Sequence, residues 1–556
     1  MSSIAFSPAS LVDITVHGES VTGIETVLTD DALAFLATLT RIFKPRIEEL
    51  FHRRHARRAE LASGVPLDFL PHTASIRAAE WTVAPVPERL LKRTVEIIGP
   101  VDQKTIADGL KAGADVFTAD FEDSTSPTWE NLISGQRYLM EAVRGTLGRD
   151  AETGSRNRLA GRTAALFVRP RGLHLPERHV TVDGEPVPGA LFDFGLFFFH
   201  NVHAQLERGA GPWFYLPKLE SHLEARFWNE VFVFSEATMG VPRGSVRATA
   251  LIDTLPAAFE MDEILYELRD RSAGLACGGW DYVSSIVKTR RHEPGAVLPD
   301  RLQVSMKQPC MRAYTQLMVR TCHRRGAQSI GGMASQIPIK DDPPANVAAF
   351  ERVRADTLRE VFEGHVGTRV AHPRLVPVAR AVFDLHGVGP NQFAGPSDDP
   401  EQGVRAVDLL RVPAGTRTEE GLRLNVRIGI QYIESWLRGN GRVSLHHQME
   451  DAATAEISRV QVWQWLRHRA TLENGRPITV ELFHNSVARE MERIGREVGE
   501  ERIVSGRYIE ARDLFIRLCL AEECAEFLTL DAYQMLESSE EQGSPRRVNL
   551  PRGAPA

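Results

Sequence analysis

Short apolar runs alternate with helical patterns through the middle of the chain, between about residues 91 and 386. Each run has the length of a strand, and the segments between them carry apolar residues at helical spacing. The predicted strands cover residues 94–98, 116–121, 164–168, 213–216, 248–252, 274–277, 329–333 and 369–372. Eight strand–helix alternations predict a (β/α)₈ barrel. A doubly wound sheet is the competing architecture, but no GxGxxG motif follows a strand, which weakens a dinucleotide-binding version of it.

The flanking regions carry mainly helical patterns. We predict a helical N-terminal clasp at residues 1–90, irregular before residue 31, and the barrel at 91–386. A linker at 387–410 and a helical C-terminal domain at 411–537 follow, and residues 538–556 are predicted to be a disordered tail. The basic run at residues 53–58 (RRHARR) is predicted to be a solvated helix face rather than a binding patch.

Composition narrows the class of protein. The 556 residues are 43% hydrophobic and 25% charged, which is ordinary for a globular protein with a large core. A net charge of −7 does not favour nucleic-acid binding. No apolar run is long enough to span a membrane, and residues 1–20 lack the pattern of a signal peptide. We therefore expect a cytoplasmic protein without nucleic-acid or membrane partners. The five cysteines show no CxxC spacing, so neither a zinc site nor a disulfide framework is indicated.

Charged and polar side chains gather where the predicted strands end. They are Asp120, Glu122, Asp123, Arg169, Arg171, Lys218, Asp253, Asp281 and His372. In a barrel, the carboxyl ends of all strands meet at one face, and active sites are built there. The sequence therefore predicts a charged site at this mouth.

Two kinds of chemistry are available among these residues. Asp253 and Asp281 come from different strand ends, and hard carboxylates held apart suit Mg²⁺, although salt bridges to Arg or Lys are the alternative. Arg169 directly follows its strand and could reach a developing oxyanion. The alternative for Arg169 is an ion pair with Asp120 or Glu122.

Asp451 lies in the C-terminal domain, at the predicted start of a helix that begins near residue 452. A helix cap is the simplest interpretation, and a catalytic base kept ionised by the helix dipole is the other. A metal, an arginine and a carboxylate base together suit proton abstraction next to a carbonyl, followed by carbon–carbon bond formation. For Asp451 to take part, the C-terminal domain must close over the barrel mouth.

Several motifs resemble those of the A-type malate synthases, over nearly the whole chain. They include residues 93–100 (RTVEIIGP), 119–123 (ADFED), 168–176 (VRPRGLHLP), 215–218 (YLPK) and 449–459 (MEDAATAEISR). The resemblance implies a (β/α)₈ TIM barrel with an N-terminal helical clasp and a C-terminal helical plug. It also implies an acyltransferase that condenses acetyl-CoA with glyoxylate and water to give malate and CoA, using Mg²⁺, in the glyoxylate bypass and tricarboxylic acid metabolism.

The resemblance also assigns roles residue by residue. Arg169 matches the catalytic arginine and Asp451 the catalytic carboxylate of the family. Asp253 and Asp281 match its metal ligands. Backbone N–H groups around Gly278, Gly279 and Trp280 are expected to hold the glyoxylate carboxylate, with Asp120 and Glu122 supporting the site from behind.

Some positions depart from the family pattern. Asp253 stands where Glu is usual, which shortens the ligand by one methylene, roughly 1.3–1.5 Å. The other departures are Arg271, Ala276, Gly279, Ser284, Ser335, Gln336, Val366, Arg369 and the run at 444–448. We expect them to face the mouth, so that the pocket is enlarged or more polar. The alternatives are therefore an enzyme acting on a bulkier 2-oxo acid or another acyl-CoA, and a non-catalytic protein that binds CoA or an organic acid. The oligomeric state is not predicted.

Overall fold

The computed structural model describes residues 12–148, 163–339, 342–387, 403–537 and 546–550. The strands are β1 (Val12–Val16), β2 (Val95–Gly99), β3 (Val116–Asp120), β4 (Ala165–Arg169), β5 (Pro176–Val182), β6 (Glu185–Pro188), β7 (Trp213–Leu216), β8 (Arg247–Ile252), β9 (Ser272–Cys277), β10 (Ser329–Ala334), β11 (Gly367–Val370), β12 (Val443–Leu445), β13 (Gln448–Glu450) and β14 (Arg546–Leu550). The α-helices are α1 (Ile24–Val27), α2 (Asp30–Ala62), α3 (Ala74–Ala78), α4 (Gln103–Lys111), α5 (Trp129–Arg144), α6 (Gly189–Glu207), α7 (His222–Thr238), α8 (Leu255–Ala258), α9 (Met261–Glu267), α10 (Gly279–Thr289), α11 (Pro309–Arg325), α12 (Pro343–Glu363), α13 (Val376–His386), α14 (Ala406–Leu409), α15 (Glu419–Leu437), α16 (Ala452–Arg467), α17 (Val480–Val498), α18 (Glu500–Ser505), α19 (Tyr508–Leu520) and α20 (Leu528–Glu537).

Eight parallel strands close into a barrel in the order β10-β11-β2-β3-β4-β7-β8-β9. This confirms the predicted fold. Strands such as β2 and β9 are buried along their whole length, because helices cover them outside and side chains fill them inside. Phe167, Trp213 and Tyr215 belong to the apolar cluster that fills the interior, so the barrel is a packed core with its chemistry confined to one end.

A second sheet lies outside the barrel, with the strand order β14-β1-β5-β6. The prediction of an irregular start and a disordered tail is wrong for two segments. Ile14 in β1 pairs with both Val548 in β14 and Val182 in β5. These pairs join segments that are far apart in the sequence. Each strand is short and is stabilised only by its partner strands, so no local sequence pattern predicts it.

The basic run of α2 is only partly the solvated helix face that we predicted, because Arg53 and His55 are exposed but other members of the run are not. Arg54 is buried, and its guanidinium donates to both carboxylate oxygens of Glu224, each at 2.7 Å, and to the carbonyl of Lys218. Arg58 forms ion pairs with Glu220 and Glu526. The run therefore ties the N-terminal helix to the barrel beside Lys218, at the predicted mouth.

The C-terminal helices form a core of their own, which includes Trp436, Trp465 and Phe515. They dock over the mouth through hydrogen bonds to main-chain carbonyl oxygens. Ser126 Oγ donates to the carbonyl of Trp436 at 2.8 Å, and the N–H of Ala452 donates to the carbonyl of Asp123 at 3.2 Å. Among the described helices, none has a segment that is both long and apolar enough to cross a membrane.

Candidate active site

Asp451 is the N-cap of α16, and it is buried at the mouth of the barrel. Its Oδ1 accepts a hydrogen bond from the N–H of Thr454 at 3.3 Å, and the hydroxyl of Thr454 accepts one from the N–H of Asp451 at 3.0 Å. Its second carboxylate oxygen accepts no hydrogen bond from the residues that the structure describes. The capping interpretation is therefore correct, and it leaves one oxygen of Asp451 available.

Arg169, the last residue of β4, is held by two aspartates. Its Nε and Nη2 each lie 2.6 Å from a carboxylate oxygen of Asp120, and its Nη1 lies 2.9 Å from Asp123. The predicted ion pair with Asp120 is thus present. A guanidinium carries five N–H bonds, so three contacts leave one N–H on each terminal nitrogen for a substrate oxygen. The aspartates fix the plane in which those two N–H groups point.

Lys218 organises the acidic part of the mouth. Its Nζ lies 2.6 Å from Asp281 and 3.1 Å from Asp123, while its backbone N–H donates to the carboxylate of Asp253. The backbone φ of Lys218 is +56°, a left-handed conformation that is uncommon for a residue with a side chain. This conformation lets the N–H and the ammonium of a single residue contact three separate carboxylates.

The predicted metal ligands surround this lysine. Asp253 follows β8 as predicted. Asp281 was predicted at the end of β9, but it lies in the first turn of α10. Within the described residues, no three His, Cys, Asp or Glu side chains form a ready-made metal site, because the ammonium of Lys218 lies against Asp281 and Asp123. The donor set consists of carboxylate oxygens alone, which fits Mg²⁺.

The carboxyl groups here are crowded and shielded from water, and their pKa values reflect this. Burial raises the pKa of Asp253 to about 7, and the negative charge of Asp281 adds to the effect. Burial likewise raises the pKa of Glu122 to about 8 and that of Asp281 above its usual range. Asp123 is also buried, but Lys218 and Arg169 hold its pKa below the usual range. The cluster therefore contains more carboxyl groups than the positive charges of Lys218 and Arg169 can neutralise.

The pKa of Asp451 is raised to about 7, first by burial and then by the charges of Asp123 and Asp281. Arg169 and Arg442 act in the opposite direction. A carboxyl group with a pKa near 7 is a stronger base than an exposed one and is still half ionised at neutral pH. These are the properties that a group removing a weakly acidic C–H proton needs.

Three family models match consecutive parts of the chain. The N-terminal domain of malate synthase matches residues 12–75, its TIM barrel domain 165–412 and its C-terminal domain 416–536. The chain is 53% identical to "Malate synthase" of Myxococcus xanthus, over 96% of this chain and 98% of that protein. It is 52% identical to the glyoxysomal malate synthase of Cucumis sativus, over 92% and 91% of the two chains.

The chain belongs to the malate synthase family. It is therefore an enzyme of the acyltransferase type, and the prediction of a non-catalytic binding protein is set aside. Among solved structures, a malate synthase from Haloferax volcanii, in a pyruvate/acetyl-CoA ternary complex, superposes with a TM-score of 0.44. It is 15% identical over 75% of this chain and 98% of that one, which is too distant to bear on details of the site.

The residues expected to hold a substrate carboxylate lie at the start of α10. Gly278 is the N-cap and provides no capping side chain, so the helix presents free N–H groups at its positive end. The N–H of Gly278 itself donates to the hydroxyl of Tyr314 at 3.1 Å, which leaves the first N–H groups inside the helix as the available donors. The substrate-binding role of Gly278, Gly279 and Trp280 stays a prediction.

One departure from the malate synthase pattern lies away from the mouth, and another belongs to a contact between the barrel and the C-terminal domain. Arg271 forms an ion pair with Glu236 at the opposite end of the barrel. Ser335 Oγ donates to Gln448 Oε1 at 2.7 Å, within a contact between the end of β10 and the β12–β13 hairpin. The expectation that all departures shape the pocket was therefore wrong.

Two departures, Gly279 and Asp253, do border the substrate region. A Cβ built on Gly279 meets no atom within 4 Å, so this position leaves open space at the start of α10. A Cβ on Gly278 would lie 2.4 Å from the Cβ of Asp253, so the shortened ligand packs directly against the helix start. The glycine at position 279 therefore leaves space that the larger side chain usual in the family would fill.

A cavity of about 530 Å³ leads from this region to the surface. Asp253, Asp281 and Lys218 line its inner end, and Arg53 and Arg57 of α2 line its outer wall. Phe527, just before α20, also lines this cavity. Its ring stacks on His174 with centroids 3.8 Å apart and lies 4.1 Å from the ammonium of Lys288.

Sequence reasoning left two parts of this site without a role. Arg442 precedes β12 and donates to the carbonyl oxygens of Ile98 and Ala371, at the ends of β2 and β11. Asp123 was noticed as a strand-end residue, but its position between Arg169 and Lys218 depends on which strands are neighbours. Conversely, Arg171 is bound to Asp193 and Glu177, and His372 caps a short 3₁₀ turn, so neither completes the acidic cluster.

Proposed function

We propose that the chain condenses acetyl-CoA with glyoxylate and water to give malate and CoA. The observation that carries this proposal is the meeting of Arg169 and Asp451 at Asp123. The carboxylate of Asp123 pairs with Arg169, and its carbonyl accepts the N–H of Ala452, the residue after Asp451. A base from the C-terminal domain and an oxyanion-stabilising group from the barrel thus share one closed mouth.

The steps follow from what these side chains can do. Asp451 removes a proton from the methyl group of acetyl-CoA, and the two free N–H groups of Arg169 stabilise the enolate oxygen that forms. The enolate carbon attacks the aldehyde carbon of glyoxylate and forms the new carbon–carbon bond, while the glyoxylate oxygen takes up a proton. Water then hydrolyses the thioester and releases malate and CoA.

Asp253 and Asp281 are the residues that would hold Mg²⁺, with Lys218 adjacent to both. A bound Mg²⁺ supplies Lewis-acid polarisation of the oxo group. Asp120 and Glu122 support the site: Asp120 orients Arg169, and Glu122 accepts the N–H of Gly172 at 2.5 Å. The partners are therefore acetyl-CoA, a small 2-oxo acid and a divalent cation. A cytoplasmic location stays a prediction.

CoA release from acetyl-CoA, measured with a thiol reagent in the presence of Mg²⁺ and glyoxylate, tests the proposal. We expect Asp451→Asn to lower kcat by roughly 10²–10⁴-fold. Asparagine is also a good N-cap, so α16 should be preserved and the loss should be chemical. Asp513→Asn, at an exposed position on α19, is the matched control and should retain full activity. Retained turnover in Asp451→Asn would remove Asp451 as the base.

A bulkier 2-oxo acid is the second candidate substrate, and the open space at Gly279 favours it. The same assay with pyruvate and 2-oxobutyrate separates the two. Glyoxylate as the preferred acid supports the first candidate, whereas turnover with the larger acids alone would replace it. No CoA release with any acid would contradict both.

A further inference from the structure

Arg369 occupies an unusual place in the barrel. It is the third residue of β11, and it is buried with 6% of its surface exposed. The side chain of Thr368 interacts with Glu360 on the outer helix α12, so the side chain of Arg369 points into the barrel, since neighbours in a strand alternate. Its Nη2 donates to the carbonyl oxygen of Cys277 at the end of β9, two strands away.

Arg369 has no acidic partner, in contrast to every other buried arginine in the described chain. Ten arginines are buried there, and nine lie within 4 Å of an Asp or Glu oxygen. Arg369 has no such contact in the described residues, and its buried Nε has no hydrogen-bond partner. A buried cation without a counter-charge destabilises the protein, so packing alone does not explain why no acidic side chain accompanies Arg369.

The guanidinium of Arg369 contacts the peptide that leads into α10. Cys277, whose carbonyl it binds, is followed by the N-cap Gly278 and then by the first helical residue, Gly279. Gly278 gives α10 no side-chain cap, so the first N–H groups of the helix lack an intrahelical acceptor. The space beside Gly279 is open. Two sources of positive potential, a helix N-terminus and a cation, therefore meet at one point of the mouth.

We propose that Arg369 binds a carboxylate of the 2-oxo acid and holds it against the start of α10. This inference rests on the proposed function. A planar carboxylate can accept N–H bonds from a guanidinium, and Nη1 of Arg369, unlike Nη2, donates to no acceptor among the described residues. The carboxylate would supply the counter-charge that the protein itself does not. Arg369 is thereby a substrate-binding residue that sets specificity for the acid, and it has no role toward the thioester.

Two carboxylates could fill this place. One is the carboxylate next to the oxo group, which every 2-oxo acid has. The other is a second, distal carboxylate of a dicarboxylic 2-oxo acid, for which the open space at Gly279 leaves room. Both have the same chemistry, so the substrates used in the test must distinguish them.

The test compares Arg369→Gln, Arg369→Met and Arg369→Lys with the wild-type enzyme, with Mg²⁺ present. KM and kcat are measured separately for glyoxylate, for oxaloacetate as a dicarboxylic acid, and for acetyl-CoA. We expect the neutral variants to raise KM for the 2-oxo acid at least tenfold and to leave KM for acetyl-CoA unchanged. Arg369→Lys should recover part of the loss. Arg496→Gln, at an exposed position of α17, is the control and should change neither constant.

A raised KM for glyoxylate supports binding of the carboxylate next to the oxo group. A raised KM for oxaloacetate alone supports binding of the distal one. An unchanged KM for both acids, or a fall in kcat alone, overturns the proposal. If the neutral variants do not fold, Arg369→Lys tests the proposal instead, because it keeps the charge but loses the planar guanidinium. An unchanged KM for the 2-oxo acid in Arg369→Lys would then overturn the proposal.

Failure of the proposed function has a different signature. In that case the wild-type enzyme releases no CoA with any 2-oxo acid. Calorimetric titration of wild type and Arg369→Gln with pyruvate then tests Arg369 without turnover. Weaker binding in the variant supports the carboxylate role, and equal binding contradicts it.

Discussion

The two sides of the barrel mouth carry uncompensated charges of opposite sign, carboxylates on one side and arginines on the other. Around Lys218, the carboxylates of Asp123, Asp253 and Asp281 crowd together. Around the end of β11, Arg369 and Arg442 bind main-chain carbonyls and have no acidic partner within 4 Å in the described residues. Elsewhere, buried arginines are matched with acids, so the separation of charge is a property of the mouth.

This difference indicates what each side binds. The acidic side has carboxyl pKa values raised by burial, about 7 for Asp253 and about 8 for Glu122, so it gains from a divalent cation. The arginine side gains from an anion. A 2-oxo acid offers an oxygen that a metal can polarise and a carboxylate that an arginine can bind. One small substrate could therefore satisfy both deficits at once.

Arg169, which the acidic side holds in place, should give the largest effect in this comparison. We expect Arg169→Gln to lower kcat by roughly 10²–10³-fold, because the enolate loses its cationic donor. Arg169→Lys keeps a charge and should be less damaging, although it loses the two-point contact with Asp120. Steady-state kinetics on folded protein, checked by circular dichroism, measures this. Near-normal kcat in the Gln variant would contradict the assigned role.

Arg442 tests the arginine side through its effect on the base. Arg442 lowers the pKa of Asp451, so removing it should move that pKa further above 7. Asp451 must be ionised to act, and the expected loss in Arg442→Gln is therefore about three- to tenfold at pH 7 and smaller at pH 8.5. The pH dependence of kcat/KM measures the shift. A loss of equal size at every pH would indicate loosening of the β12–β13 hairpin instead.

Asp253→Glu sharpens the description of the acidic side. If the shorter carboxylate is a compromise, the longer side chain should tighten Mg²⁺ binding by up to about tenfold, since it brings the oxygen closer to Asp281. Calorimetric titration with Mg²⁺ gives the affinity directly. Because Asp253 packs against Gly278, an unchanged or weaker affinity would show that the helix start has adjusted to the shorter ligand.

The smallest expected effect is a pH-dependent stabilisation by Mg²⁺. The pKa of Asp253 in the folded protein, about 7, exceeds the unfolded value of about 3.9. Its contribution to the stability of the metal-free protein is thus complete below about pH 4 and is lost as pH rises through about 7. Mg²⁺ binds the ionised group, so it should raise Tm by roughly 2 °C more at pH 8 than at pH 6. An equal rise at both values would contradict the raised pKa.

Part of the fold could be predicted because its signals are local. The eight barrel strands are buried apolar runs between helical patterns, and the predicted segments overlap all eight observed strands. The sheet that joins β1, β5 and β14 escaped prediction because its short strands are defined by partners far away in the chain. The burial of Arg54 escaped prediction because a basic run looks the same whether its partners are solvent or carboxylates.

By itself, the sequence determined the barrel and the strand-end charges, and its motifs predicted that Arg169 and Asp451 act in one reaction. These follow from periodicity and from motifs that are contiguous in the chain. Only the tertiary structure decided that Lys218 bridges Asp123 and Asp281, that Ser335 meets Gln448, and that Arg369 has no acid beside it. The reason is physical. Whether a charge is compensated depends on which side chains lie within a few ångströms, and in a closed barrel those neighbours come from strands and loops far apart in sequence.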